Sequence, residues 1–232
     1  MEPKVFKFPS IEQFRNVIKT VKLHGTNAGI IYRWNVLEFE YETQFQSRTN
    51  IITPTDDNAG FARTMSIVNT DAILTQIMKV KNTIDYTPET VQVFGEWCGS
   101  GIQKKVGICE LDKMFVIFAI KIDDQWLTDD EIRTIGLPND RVFNILTFPT
   151  YEVSVDFNNP KVAADIMSDL VEKVEKECPV SKAFFNEVMV ENTAYEENGK
   201  IWFDKENGIT DNLKTLLINH FKLLRDENPS GV

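Results

Sequence analysis

The sequence predicts an α+β fold, antiparallel sheet with flanking helices, in one domain spanning residues 1–232. Three observations carry that expectation. Residues 36–45 alternate Leu37, Phe39 and Tyr41 with Glu38, Glu40 and Glu42, the pattern of a half-buried antiparallel strand. Residues 61–80 and 161–177 instead repeat their apolar side chains at helical period. No repeat, low-complexity tract or linker separates the elements, and 42% hydrophobic content over 232 residues supports one sizeable core.

The elements follow in order. Phe8, Ile11, Phe14 and Ile18 lie near helical spacing with Ser10 as N-cap, which predicts a short helix within residues 5–18. Residues 28–32 and 36–45 read as strands, 47–58 as a polar loop and 61–80 as helix. The compact apolar runs 91–96 and 115–122 have strand composition, and a loop of small and basic residues joins them. Residues 128–140 predict a short acidic helix stopped at Gly136-Leu-Pro138. Residues 151–157 alternate as a strand. Residues 161–177 form a helix between Pro160 and Pro179, with Val162, Ile166, Leu170, Val171 and Val174 as its apolar stripe, and 213–224 form a last amphipathic helix.

Composition narrows the function classes. A net charge of −10, with acid gathered at Glu172 to Glu177, Glu191 to Glu197 and Asp226-Glu227, argues against a protein that coats nucleic acid through long-range attraction. Any nucleic-acid contact is expected to be local, and the more balanced segment 79–105 suits it. The longest apolar runs, such as 114–120, are too short to cross a bilayer, and the N-terminus lacks a leader pattern. Cys98, Cys109 and Cys178 have no C-x-x-C spacing, so reduced thiols and a cytoplasmic location are expected, with no membrane association.

Two segments carry chemistry. Lys22-Leu-His-Gly-Thr-Asn27 sets a lysine ahead of a small Gly-Thr turn. A lysine becomes a nucleophile only where its surroundings remove the proton. Taken alone, this pattern also describes solvated surface lysines. In Val91-Gln-Val-Phe-Gly-Glu-Trp-Cys-Gly-Ser-Gly-Ile-Gln103 a carboxylate emerges at a strand end beside three glycines, which let backbone amides approach a ligand and adopt positive φ. That acid, Glu96, is suited to a ribose hydroxyl or a divalent metal. Trp97 and Trp126 need no role beyond packing, and His220 reads as a helix-surface or core-edge residue.

Lys22-Leu-His-Gly-Thr-Asn27 resembles the nucleophile motif of the covalent nucleotidyltransferases, in the form typical of ATP-dependent RNA ligases of the T4 RNA ligase 2 type. Phe94-Gly-Glu-Trp-Cys-Gly-Ser-Gly-Ile-Gln-Lys104 is similar to that family's third motif. Ser47-Arg48-Thr49 is similar to its arginine motif, and Phe115-Val-Ile-Phe118-Ala-Ile to its aromatic strand. The resemblance covers residues 15–125 and implies a ligase adenylation fold. It implies that Lys22 attacks ATP to give lysyl-AMP, that the AMP passes to an RNA 5′-phosphate, and that a 3′-hydroxyl then seals the strand, with magnesium or manganese as cofactor. By motif, Lys22 is the nucleophile, Glu96 holds the ribose or assists the metal, and Phe118 stacks on adenine. Arg48 contacts ribose or RNA phosphate, while His24 and Asn27 shape the phosphate turn. The expected partners are ATP and broken or nicked RNA ends, handled by a monomer.

The family's fourth motif and its paired K-x-K lysines have no match after residue 125. The lysines of Lys200-Ile-Trp-Phe-Asp-Lys205 would face opposite sides of a strand. Lys79-Val-Lys81 has the spacing but precedes Glu96. The expectation is an N-terminal portion of a longer ligase. The alternatives are a non-catalytic nucleotide- or RNA-binding relative, which the missing lysines favour, and a DNA ligase or a capping-type nucleotidyltransferase, which His-Gly-Thr-Asn disfavours.

Overall fold

The computed structural model describes residues 5–7, 16–83, 86–104, 106–154, 160–176 and 178–188. It is α+β, built on antiparallel sheet with flanking helices. The described residues divide into two compact units: one gathers those within 5–7, 22–103 and 112–147, the other those within 16–21, 104–111 and 148–188.

The first unit is organised by one sheet of strands β2 (Thr26–Asn35), β3 (Glu40–Ser47), β4 (Ile51–Ile52), β5 (Thr90–Cys98), β6 (Met114–Ile122), β7 (Gln125–Trp126) and β8 (Val142–Asn144). Its order is β4-β3-β2-β5-β6-β7, antiparallel throughout, with β8 added parallel to β6. Alternation gives each central strand a core side: Ala28, Ile30 and Tyr32 on β2 and Val91, Val93 and Trp97 on β5 enter one cluster. Helices α1 (Phe61–Met65) and α2 (Asp71–Lys81) cover that side with Phe61, Ala62, Met65, Ile73, Leu74 and Ile77. Phe61 is the hub, 5.6 Å from the Trp97 ring and 4.9 Å from Phe115. Burying a side chain of that size contributes roughly 2–3 kcal/mol.

Where residues 61–80 predicted one helical stretch, α1 and α2 are separate, and Tyr32 Oη donates to the Thr70 carbonyl at 2.7 Å beneath the break. Residues 36–39, expected to be strand, are a turn. Leu37 and Phe39 are 86% and 79% exposed, so their alternation with glutamates has no burial behind it. Asn35 closes that turn, accepting from Leu37 N–H at 2.9 Å. The acidic helix α3 (Asp129–Ile132) starts at a Thr128 to Glu131 capping box, but it ends before the proline. Gln76 draws Gly136 away through bonds of 2.9 and 3.1 Å, and Pro138 opens a separate 3-10 turn instead.

In the second unit β1 (Asn16–Lys19) pairs antiparallel with β9 (Tyr151–Ser154), followed by α4 (Pro160–Lys176) and α5 (Pro179–Val188). The helix expected within 5–18 therefore gives way to strand at 16–19, where β-branched Val17 and Ile18 favour extended backbone and β9 supplies a hydrogen-bonding partner. Its remaining markers, Phe8, Ser10, Ile11 and Phe14, lie outside the described residues. Helix α4 buries Val171 and Val174 as expected, but Ala163 and Met167, outside the expected stripe, are buried with them, whereas Val162 and Ile166 are exposed, so the apolar face is rotated from the expected one. Phe148 packs on Phe184 at 5.8 Å. Residues 155–157, the helix expected at 213–224, His220 and Lys200 to Lys205 lie outside the described residues. The three cysteines remain thiols. Among the described residues no helix is long and apolar enough to cross a membrane.

Candidate active site

The two motif segments meet because β2 and β5 are antiparallel neighbours. Their register sets Asn27 opposite Glu96 and Thr26 opposite Trp97. Since Trp97 belongs to the core cluster, Glu96 and Asn27 occupy the other face of the sheet. There Glu96 Oε1 accepts from the Gly25 N–H and Oε2 from Asn27 Nδ2, both at 3.0 Å. The Gly25 carbonyl in turn accepts from Gln103 Nε2 at 3.0 Å, so both polar ends of one residue are held. A side chain at Gly25 would run into the Trp97 carbonyl and come within 2.8 Å of Cys98 Cβ. This close backbone approach is why glycine stands between the lysine and β2.

Burial dominates the electrostatics of Glu96 and raises its carboxyl to about 7, against the opposing pull of the Gly25 amide, the Lys22 charge and the Asn27 amide. His24 is held below its ordinary value, first by burial and then by the Lys22 charge. Lys22 is thus within electrostatic reach of both groups. It is itself exposed, between buried Val21 and Leu23. An amine, a neutral imidazole and a carboxyl poised near neutrality form a group able to exchange protons and to bind a charged ligand.

Phe118 sits on a β-bulge. Phe94 pairs with Ala119 while Gly95 pairs with Ile117, leaving Phe118 as the extra residue beside the strand position that precedes Glu96. The bulge changes the phase of β6: Phe115 and Ile117 before it and Ile120 and Ile122 after it all enter the core, whereas Phe118 stands outside that cluster and is partly exposed. Gly95 makes the bulge pack, because an added Cβ would meet the Phe115 ring and come within 2.6 Å of the Val116 carbonyl. Of the neighbouring glycines, Gly99 and Gly101 do adopt positive φ.

Arg48 is exposed on a tight turn closed by Ser47 N–H to the Asn50 carbonyl at 2.8 Å. Ser47 pairs with Ala28, so the turn lies at the same end of β2 as Asn27. Hydrogen bonds therefore join Gly25 and Asn27 to Glu96, Lys22 and His24 lie just ahead of β2 within electrostatic reach of one another and Lys22 of Glu96, Phe118 is one strand away, and Arg48 is on a neighbouring turn. Sequence reasoning assigned nothing to Gln103, although it lies inside the glycine-rich segment that carries Glu96. It also gave Trp97 packing alone, yet its indole N–H donates to the Ala59 carbonyl at 3.1 Å. Trp126, by contrast, is 42% exposed, with its ring 5.8 Å from Phe94. No cluster of three or more His, Cys, Asp or Glu able to hold an ion occurs among the described residues.

A protein-family model described as RNA ligase matches residues 15–195 of the chain. No curated protein matches it.

Proposed function

The chain belongs to the RNA ligase family, and on that premise we propose that it seals RNA 5′-phosphate and 3′-hydroxyl ends with ATP, through an adenylate carried on Lys22. The observation that carries this reading is the Glu96 carboxyl bridging Gly25 and Asn27 beside the Lys22 charge. In the first step Lys22 gives up its ammonium proton and the amine attacks the α-phosphorus of ATP. A P–N bond forms with loss of a second N–H proton, the bond from the α-phosphorus to the bridging oxygen breaks, and pyrophosphate leaves. The RNA 5′-phosphate then displaces Lys22 from the adenylate, giving an RNA end joined to AMP. The 3′-hydroxyl finally attacks that 5′-phosphorus, loses its proton and releases AMP. Splitting one difficult displacement into successive transfers is what covalent catalysis contributes.

The chain's own groups have distinct tasks. Glu96 holds the Gly25–Asn27 turn and takes the ribose. Phe118, turned out of the core by its bulge, offers a face for adenine. Neutral His24 and the Asn27 amide line the phosphate side, where Gly25 keeps the backbone close. Magnesium or manganese, when bound, neutralises charge on the transferred phosphoryl group. The half-buried Glu96 carboxylate, beside the position given to the nucleotide, would hold such an ion together with substrate phosphates. We further assign the chain to the cytoplasm as a monomer.

The test is sealing of a 5′-phosphorylated RNA nick with ATP and magnesium. Ligated product dependent on the 5′-phosphate is expected, and absence of any joined product from the full chain would overturn the assignment. Arg48→Ala separates the steps. It is expected to lower sealing about tenfold or more, the loss of one charge-assisted phosphate contact, while sparing transfer of AMP to the protein. Equal loss of both would remove Arg48 from the RNA side.

A further inference from the structure

We infer that Asn58 is a positioning residue that fixes the Lys22 turn from the core face of the sheet, a role that deepens the lysyl-adenylate reading above and rests on it. Thr26 and Trp97 face each other across β2 and β5, next to the Asn27 and Glu96 pair on the opposite face. Both reach one short segment. Asn58 Nδ2 donates to Thr26 Oγ1 at 2.9 Å, and the Ala59 carbonyl accepts from Trp97 Nε1 at 3.1 Å. The same carbonyl accepts from Lys113 Nζ at 2.8 Å. The strand end that follows Lys22 is therefore gripped on both faces: by Glu96 through Gly25 and Asn27 on one, and by Asn58 through Thr26 on the other.

The segment is costly to build, which argues that its shape is needed. Ala59 and Gly60 are consecutive left-handed residues, with φ of 55° and 85°, and alanine adopts that region only when its surroundings impose it. Asp57 supplies part of the imposition, accepting from Ala62 and Arg63 N–H at 2.9 Å, and so anchors the segment to α1. Residues 21–24 have no ladder of their own, so beyond the buried Val21 and Leu23 side chains that flank it Lys22 is oriented by how firmly Gly25 and Thr26 are held.

The experiment compares Asn58→Ala, Thr26→Val and Thr26→Ser. Valine keeps the shape of threonine but removes the acceptor, whereas serine keeps the acceptor. The rate constant for AMP transfer to the protein is expected to fall about five- to tenfold in Asn58→Ala and in Thr26→Val. The apparent KM for ATP stays within about twofold, and Thr26→Ser remains near the parent. The double variant is expected to be no slower than Thr26→Val alone. Parental rates in Asn58→Ala, or losses that multiply in the double variant, would overturn the inference. Hydrogen exchange provides a readout that does not need ATP: the Gly25 and Asn27 amides should exchange faster in Asn58→Ala at unchanged global stability. Unchanged exchange sinks the positioning role. Faster exchange in a chain that never takes AMP upholds that role and removes the lysyl-adenylate reading instead.

Discussion

The two ends of β2 solve different problems with the same chemistry. At the Asn35 end a single amide closes a turn using partners two to seven residues away: it accepts from Leu37 and Glu38 N–H and donates to Glu42 at 2.7 Å. The turn leaves Val36, Leu37 and Phe39 exposed, with Phe39 at φ 55°. At the Thr26 end, side-chain bonds join residues 32 to 78 apart, from Asn58, Glu96 and Gln103 to Thr26, Gly25 and Asn27. Local bonds can break without disturbing distant elements. Long-range bonds converge a strand and two loops on one spot, so their loss is felt at that spot. The difference suits the Thr26 end to the proposed chemistry, while exposed apolar surface is tolerated at the other.

The largest effect is expected from Gly25→Ala at the Thr26 end. The new methyl group meets the Trp97 carbonyl and Cys98 Cβ, so β2 and β5 must part. A loss of about 2–4 kcal/mol in denaturant unfolding, together with loss of AMP transfer, is expected. A variant as stable as the parent would show that the close approach is dispensable.

A middle-sized effect comes from Glu96. Its folded carboxyl lies near 7, above the ordinary carboxylate range, so the folded chain holds a proton that the unfolded chain has released. That stabilisation is complete below the unfolded value and is lost as pH rises through about 7. Glu96→Gln cannot ionise, so from pH 5 to 8 the parent should lose up to about 3 kcal/mol relative to the variant. His24, held low, changes stability in the opposite sense, and subtracting the two pH profiles cancels it. Parallel profiles would refute the burial cost assigned to Glu96.

The smallest effect belongs to the far end. Phe39→Gly relieves a left-handed aromatic residue and should stabilise the fold by about 0.5–1 kcal/mol in thermal or denaturant melts, without changing RNA sealing. Destabilisation would mean that the exposed ring has a structural duty.

What the sequence made legible follows the same division. The runs 91–96 and 115–122 could be read as strands because Val91, Val93, Ile117 and Ile120 are fully buried and carry composition alone. Leu37 and Phe39 misled because alternation implies a core side, and nothing local reveals that Asn35 has already reversed the chain. In α4 Val171 and Val174 were identified as core, but the first half of the stripe was misjudged, since Ala163 and Met167 bury more deeply than Val162 and Ile166. For the site, the two segments were visible as motifs, but their meeting depends on a register linking positions 69 residues apart. Asn58 lay in a polar loop with no local signal at all. Its partner is chosen by tertiary packing.

The most direct measurement maps the adenylate. After incubation with ATP and magnesium, intact mass followed by peptide sequencing should find one AMP per chain on Lys22, absent in Lys22→Ala. An adenylate on any other side chain, or RNA sealing by Lys22→Ala, would contradict the account.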